Sequence, residues 1–145
     1  MIIYIASSWK NQHAVEMLTA LLRERGHEIL SFVENNHCEN PNASANERAY
    51  IKPVPFDEWC ASRDGLRSFE YDTRGATESE LVIYIGPSGT DAWAEVGAAW
   101  GRGVEVLGLW AKGEQAGLMR RMVTWFEDYK SLLRYVDDTA KLRAA

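Results

Sequence analysis

The sequence predicts an α/β fold in which a mainly parallel, five-stranded sheet is covered by helices on both faces. Two observations lead to this prediction. Short apolar segments with the length of buried strands alternate with longer segments of helical periodicity. Parallel strands need right-handed crossover connections, and the intervening segments supply a helix for them. With the first strand central, the expected order is 2-1-3-4-5, a doubly wound layout.

The first strand, β1, is predicted at Ile2 to Ala6, a short apolar run that ends at Ser7 and Ser8. A helix follows from Asn11 to Arg25, where apolar residues recur at helical spacing. The segment from Glu28 to Val33 then predicts strand β2. Together these elements form the first half of a doubly wound unit.

The segment from about residue 34 to residue 55 predicts an irregular surface loop. Residues 34–48 contain five Asn, and Pro53 and Pro55 disfavour a regular element. Phe56 and Trp59 are apolar anchors that we expect to pin the loop onto the body of the domain. Long loops in compact domains often cover a functional site.

The rest of the chain continues the alternation. A mostly polar helix is predicted from Arg63 to Glu78, followed by strand β3 at Leu81 to Ile85. A helix from Asp91 to Trp100 leads to strand β4 at Val104 to Trp110. The last predicted elements are a short helix near Leu118 to Arg121, edge strand β5 near Val123 to Phe126, and a closing helix from Asp128 to about Leu142.

Composition limits the classes of function. We expect one domain spanning residues 1–145, since this length is typical of single domains. The net charge of -5 and the lack of a basic cluster disfavour a duplex nucleic-acid binder and favour a small-molecule ligand. No apolar run reaches the ~20 residues of a membrane helix, and the start lacks a charged signal-peptide region. We therefore expect a cytoplasmic protein.

The two cysteines, Cys38 and Cys60, form no disulfide framework and are expected to be free thiols. His37 stands beside Cys38, but no CxxC or HxxxH spacing accompanies the pair. The sequence therefore predicts no metal site.

In a doubly wound sheet, ligands bind where the strand order reverses, here at the ends of β1 and β3. The turn Gly86 to Thr90 follows β3 and opens a helix, whose N–H groups could hold a phosphate or carboxylate. It lacks the Lys of a P-loop, and the β1 turn lacks the Rossmann glycines. The alternative is plain helix capping, with Ser88 as the N-cap and Asp91 three residues on.

Glu95 is the main chemical candidate, since its sequence neighbours are mostly apolar. Asp91 lies four residues earlier on the same helical face, so the two carboxylates could flank a substrate, as in glycosyl chemistry. The alternative is a solvated acidic face at a helix start. Asp72, on the helix before β3, is a third candidate, although a charged residue there usually faces solvent.

Aromatic residues near the switch point are candidates for contacts with a ring. Trp9 follows the end of β1 and could stack on a base, while Tyr4 points toward the same end or packs in the core. Trp93 and Trp100, seven residues apart on one helix, indicate a packing or subunit-interface stripe.

Residues 3–9 (IYIASSW) and 89–99 (GTDAWAEVGAA) resemble the nucleoside 2-deoxyribosyltransferase-like superfamily. The resemblance implies a flavodoxin-like fold and cleavage of N-glycosidic bonds in nucleosides or nucleotides through a glutamate nucleophile, here Glu95. A family pattern of Asp, then Gly three positions on and an acidic residue eight positions on, matches Asp72, Gly75 and Glu80. It implies that Asp72 assists proton transfer.

The resemblance also implies a homodimer or larger homo-oligomer, no cofactor, and substrate contacts at Tyr4, Ser7, Ser8, Trp9, Ser88, Gly89 and Asp91. Family enzymes for nucleotides use Ser and backbone donors for a phosphate, a pattern that Ser88 and Gly89 fit somewhat better than the acidic pattern of the nucleoside enzymes. Gly89 stands where the transferases carry Asp, and the C-terminal tail matches no family motif. The chain is more similar to an uncharacterised bacterial or phage branch than to the transferases.

Three functional hypotheses follow. The first is an enzyme that cleaves or transfers a glycosyl group through Glu95. The second is a non-catalytic module that binds or senses a nucleotide-derived ligand, motivated by the missing acidic residue at Gly89. The third is a flavodoxin-type domain that holds FMN in the same crevice.

Overall fold

The computed structural model of the protein describes residues 1–35, 55–115 and 117–145. Its five strands form one parallel sheet in the order β2-β1-β3-β4-β5, which confirms the predicted topology. Tyr4 of the central strand pairs in register with Val82, and Ala6 pairs with Tyr84. The strands are β1 (Ile2–Ala6), β2 (Glu28–Ser31), β3 (Leu81–Ile85), β4 (Glu105–Leu109) and β5 (Thr124–Phe126).

Helices connect the strands close to the predicted bounds. A 3-10 turn (Trp9–Asn11) precedes the first helix, and a second 3-10 turn (Leu118–Met122) precedes β5. Asp128 caps the last helix, because its Oδ1 accepts a hydrogen bond of 2.8 Å from the Ser131 N–H. The described helices are α1 (Gln12–Glu24), α2 (Phe56–Ala61), α3 (Arg63–Glu78), α4 (Thr90–Gly101) and α5 (Tyr129–Ala144).

The core is divided by the sheet into two layers. Ile3, Ile5 and Ile83 face α1 and α5, where they pack against aliphatic residues of both helices. Tyr4 and Tyr84 point to the opposite face, which α3 and α4 cover. Since side chains alternate along a strand, one face is aliphatic while the other places phenol groups beneath a helix pair.

Small residues allow α3 and α4 to approach the second face closely. Ala76 of α3 and Ala92 and Ala99 of α4 are buried against the sheet. A Cβ atom at Gly75 would collide with the ring of Tyr4, so α3 passes directly over β1 at this glycine. This approach brings side chains of the third helix to the ring of Tyr4.

Three sequence expectations are wrong in detail. Helix α2 begins directly after Pro55, although the prolines were expected to prevent a regular element; a proline just before a helix costs no internal hydrogen bond. Phe56 is 80% exposed and therefore is not an anchor of the loop. Strand β2 also ends two residues early, at Ser31, because residues 32–34 form a turn.

The predicted loop from residue 36 to residue 54 lies outside the described residues, as do His37 and Cys38.

None of the helices in the described ranges is both long and apolar enough to cross a membrane.

Candidate active site

Hydrogen bonds fasten the ends of β1 and β3 to each other at the switch point. Ser7 Oγ donates to the Ile85 carbonyl at 2.8 Å. Asn11 Nδ2 donates to Ser7 Oγ at 3.0 Å and to the Pro87 carbonyl at 2.8 Å. Ser7, expected to bind substrate, thus holds the two loops together. Asn11 was not predicted, because a polar residue at a helix start usually indicates capping.

A cluster of three oxygen-bearing side chains lies beside this junction, between α3 and α4. Tyr4 comes from the central strand, Asp72 from α3 and Glu95 from α4. Tyr4 is fully buried, and burial raises the pKa of its phenol. The charges of Glu95 and Asp72 raise this pKa further. The structure therefore brings together three of the residues expected at the site.

The oxygen atoms of this cluster have unused hydrogen-bonding capacity. Tyr4 Oη, Asp72 Oδ1 and Glu95 Oε2 are buried, and none has a hydrogen-bond partner of good geometry within the described part of the chain. The Tyr4 hydroxyl still lies near enough to both carboxyls to lower the pKa of each. Buried polar atoms are rarely left unpaired, so these oxygens can accept a further hydrogen-bonding group, either water or a ligand.

The two carboxyl groups differ in acidity. Burial, and then the charge of Asp72, raises the pKa of Glu95 from 4.5 to about 9. Burial raises the pKa of Asp72 from 3.8 to about 6, and the Tyr4 hydroxyl opposes this effect. At pH 7 the pair therefore holds about one proton and one negative charge. Paired carboxyl groups with separated pKa values can divide acid and nucleophile roles between them.

Asp91, which the helical spacing paired with Glu95, is exposed at the start of α4. Its charge is a smaller contribution that raises the pKa of both Glu95 and Asp72. The structure therefore places Asp72, from a different helix, as the larger electrostatic influence on Glu95.

The capping alternative for Ser88 is wrong, because the N-cap of α4 is Gly89 and no side chain caps this helix. Ser88 Oγ and Ser8 Oγ are buried hydroxyls that lack a partner of good geometry among the described residues. Gly89 is exposed, with open space where a Cβ would stand. The switch-point loops thus carry two unsatisfied hydroxyl groups.

The aromatic residues that the sequence singled out differ in their exposure. Trp9 is 37% exposed and meets Phe32 edge-on, with ring centroids 5.5 Å apart. Trp93 packs against Tyr84, with centroids 4.9 Å apart, while Trp100 is 59% exposed. Trp93 therefore fits the packing interpretation.

The three residues that match the Asp-x-x-Gly pattern make different contacts in the structure. Gly75 permits the close contact with the Tyr4 ring described above. Glu80 Oε2 accepts a hydrogen bond of 2.6 Å from the Ile2 N–H, which fixes the start of the central strand. Of the three matched residues, only Asp72 contributes an oxygen to the cluster.

A second polar group near the same loop was not predicted. Glu114 accepts hydrogen bonds from the Tyr84 hydroxyl at 2.6 Å and from Trp93 Nε1 at 3.3 Å. Burial, and then this hydrogen bond, raises the pKa of Tyr84. Glu114 lies in a loop without periodicity, so no sequence signal pointed to it.

Among the described residues, no cluster of three His, Cys, Asp or Glu side chains could hold a metal ion.

The fold is similar to that of two solved enzyme structures. One is a 2-deoxyribosyltransferase from the psychrotolerant bacterium Bacillus psychrosaccharolyticus, with a TM-score of 0.64 and 20% identity over 91% of this chain and 90% of that one. The other is the Clostridium botulinum CMP N-glycosidase BcmB, with a TM-score of 0.56 and 19% identity over 94% and 98% of the two chains. Both belong to the nucleoside 2-deoxyribosyltransferase-like superfamily, so the resemblance inferred from sequence is confirmed for the flavodoxin-like fold. No protein-family model and no curated protein matches the sequence.

Proposed function

We propose that the protein cleaves the N-glycosidic bond of a nucleoside or nucleotide, with Glu95 as nucleophile and Asp72 as proton donor. The observation that carries the proposal is the cluster of Tyr4, Asp72 and Glu95, whose buried oxygens have no partner of good geometry among the described residues and whose carboxyl groups differ in pKa. Membership in the nucleoside 2-deoxyribosyltransferase-like superfamily is part of the proposal. The fold likeness and the segments at residues 3–9 and 89–99 support it.

The two carboxyl groups share one proton, and the group without the proton is the one that can act as nucleophile. In the ligand-free site at pH 7 the proton lies mainly on Glu95, whose pKa is about 9, and the charge lies mainly on Asp72. The reacting form has the opposite arrangement. Positive charge that develops at the anomeric carbon stabilises the Glu95 carboxylate, while the proton on Asp72 faces the departing base.

The reaction then takes two balanced steps. In the first, a Glu95 oxygen bonds to the anomeric carbon, the carbon–nitrogen bond breaks, its electron pair goes to the base, and Asp72 gives the base a proton. In the second, water or another base attacks the same carbon, Asp72 takes the proton that the attacking group releases, and the bond to Glu95 breaks. Water gives hydrolysis and a second base gives transfer, both with retained configuration.

The remaining residues of the site have supporting roles in this proposal. Trp9 stacks on the base, and Asp91 accepts hydrogen bonds from sugar hydroxyls at the rim. Ser8 and Ser88 supply hydroxyls that have no partner among the described residues. Tyr4 orients Glu95 from below. Ser7 does not contact the substrate in this proposal but holds the ends of β1 and β3 together through its hydrogen bond to Ile85.

Subunit assembly belongs to the same proposal. Phe69 on α3 is 65% exposed and Trp100 on α4 is 59% exposed. Large exposed apolar side chains on neighbouring helices are suited to a homodimer or larger homo-oligomer. The cytoplasmic location expected from the sequence is also part of the proposal.

The proposal is tested by incubating the protein with 2'-deoxynucleosides and their 5'-monophosphates and measuring free base. We expect the wild type to release base and Glu95→Ala to lose at least about 1,000-fold in rate, since the nucleophile is missing. Glu24→Gln, an exposed carboxylate change on α1, is the matched control and should keep wild-type rates. Base release that survives Glu95→Ala contradicts the mechanism.

A binding module without turnover is the second candidate, because Glu95 holds a proton at neutral pH and a protonated carboxyl is a hydrogen-bond donor, not a nucleophile. Calorimetry separates the two functions. Saturable binding of a nucleoside with no base released after prolonged incubation favours the binding module, whereas released base excludes a purely passive role.

A further inference from the structure

A cavity lies at the edge of the sheet that β5 forms. It has a volume of about 370 Å³, which is enough for a small molecule, and it is lined by Trp110, Arg120, Arg121, Val123 and Trp125. None of these residues belongs to the cluster of Tyr4, Asp72 and Glu95. Two strands, β3 and β4, separate β5 from the strand that carries Tyr4. This edge cavity is therefore distinct from the candidate active site.

Hydrogen bonds and ring contacts fix the walls of the edge cavity. The Trp110 N–H donates to the Phe126 carbonyl at 2.9 Å, which ties the end of β4 to the end of β5. Trp125 Nε1 donates to the Arg120 carbonyl at 3.0 Å, and the Trp125 ring meets the Tyr84 ring edge-on, with centroids 5.8 Å apart. Since the indole N–H of Trp125 is already used, this residue offers a ligand only ring surface.

Arg120 brings a positive charge to this cavity without a partner anion. Its Nε and Nη2 atoms are shielded from water, and neither has a hydrogen-bond acceptor of good geometry among the described residues. Within the same ranges, neither Arg120 nor Arg121 forms an ion pair, and the residues that line the cavity include no carboxylate. Nε and Nη2 share one edge of the guanidinium, whose two N–H groups match the two oxygens of a carboxylate or phosphate. Water would satisfy these N–H groups but would leave the charge uncompensated.

We propose that the edge cavity binds a small organic anion in which a carboxylate or phosphate is joined to a flat ring. The oxyanion pairs with the Nε and Nη2 edge of Arg120, which the flexible side chain turns toward the cavity, and Arg121 adds a second positive charge. The ring packs on Trp110, which is 47% exposed. This inference does not rest on the proposed function, because the cavity shares no residue with the cluster of Tyr4, Asp72 and Glu95.

Calorimetry on the whole protein tests this site with three probes: benzoate, cytidine 5'-monophosphate and inorganic phosphate. We expect saturable binding of at least one of the two ring-bearing probes, about tenfold or more tightly than inorganic phosphate, which lacks a ring. Binding of benzoate alone identifies carboxylates as the ligand class, and binding of the monophosphate alone identifies phosphates. Glu95→Ala should leave this binding unchanged, whereas its loss in that variant places the probe in the candidate active site and overturns the inference.

Three variants of the cavity separate its parts. Arg120→Lys keeps the charge but loses the two-pronged edge, so affinity should fall about tenfold, and Arg120→Gln should lower it further, to about 100-fold. Trp110→Ala should weaken the ring-bearing probe about fivefold and leave inorganic phosphate unchanged. Arg63→Gln removes the same charge from an exposed position on α3 and should leave all affinities unchanged.

A wild-type measurement makes the test independent of how well the variants fold. Raising the salt concentration from about 0.05 M to about 0.5 M should weaken binding of the ring-bearing probe, because salt screens the attraction between the anion and the two arginines. Wild-type dissociation constants above about 10 mM for both ring-bearing probes overturn the inference. So does an affinity that neither Arg120→Gln nor salt changes. Absence of base release with intact anion binding overturns the proposed enzyme but not this site.

Discussion

Replacing Glu95 by Gln is expected to stabilise the folded protein at neutral pH while it removes the nucleophile. Burial, then the charge of Asp72, raises the pKa of Glu95 from 4.5 to about 9 in the folded state. A group with a raised folded-state pKa contributes stability below its unfolded pKa and loses it as the pH rises through the folded value. The contribution of Glu95 to the stability of the wild type should therefore fall progressively between pH 4.5 and pH 9.

The magnitude follows from the same pKa values. The 2.5 pH units between the ordinary 4.5 and pH 7 correspond to about 3 kcal/mol, at about 1.4 kcal/mol per unit. Gln carries no charge at any pH, so the variant avoids this loss. The free energy of unfolding of Glu95→Gln minus that of the wild type should grow by about 3 kcal/mol from pH 4.5 to pH 7, and further toward pH 9.

Urea unfolding followed by tryptophan fluorescence measures this difference at several pH values between 4.5 and 9. Asp72 titrates in both proteins and does not obscure the comparison. The exposed Glu24→Gln change on α1 should give a stability curve parallel to that of the wild type. Parallel curves for Glu95→Gln and wild type would refute the claim that the Glu95 carboxyl group is costly to ionise in the fold.

Three further predictions concern the same cluster. Base release should be fastest between about pH 6 and about pH 9, because the pair needs one proton, and a rate that rises steadily above pH 9 contradicts this. Tyr4→Phe should move both the acid side and the alkaline side of this pH–rate profile to higher pH, because the Tyr4 phenol lowers the pKa of both carboxyl groups. A profile that does not move argues against this effect of Tyr4. Gly75→Ala should destabilise the protein by about 2 kcal/mol, because the new Cβ collides with the Tyr4 ring. Gly97→Ala should stabilise it by about 0.5 to 1 kcal/mol, because the new Cβ has open space and Ala favours a helix. Urea unfolding measures both changes.

Most of the fold could be predicted because its signals are local. The buried strand at Leu81–Ile85 and the mostly polar helix at Arg63–Glu78 have the predicted bounds. Helix α2 was missed because two prolines were taken to prevent any regular element, although proline is compatible with a helix start. Residue patterns locate strands well and short helices after proline poorly.

The cluster of Tyr4, Asp72 and Glu95 could be predicted from the sequence only in part. Helical spacing pairs Asp91 with Glu95, yet Asp72 exerts the larger effect, because the packing of two helices on one sheet brings it there. No local pattern encodes such a tertiary approach. The hydrogen bonds of Glu114 were not predicted for the same reason, since its partners Tyr84 and Trp93 are distant in sequence.

The most direct test of the central claim is to trap the glycosyl-enzyme. The wild type is mixed with a 2'-deoxynucleoside, quenched rapidly in acid, and examined by intact-mass and peptide mass spectrometry. We expect a deoxyribosyl adduct on the tryptic peptide that spans residues 75–102, located at Glu95, and no adduct in Glu95→Ala. Base release by the wild type with an adduct on another residue would contradict the assignment of Glu95 as the nucleophile.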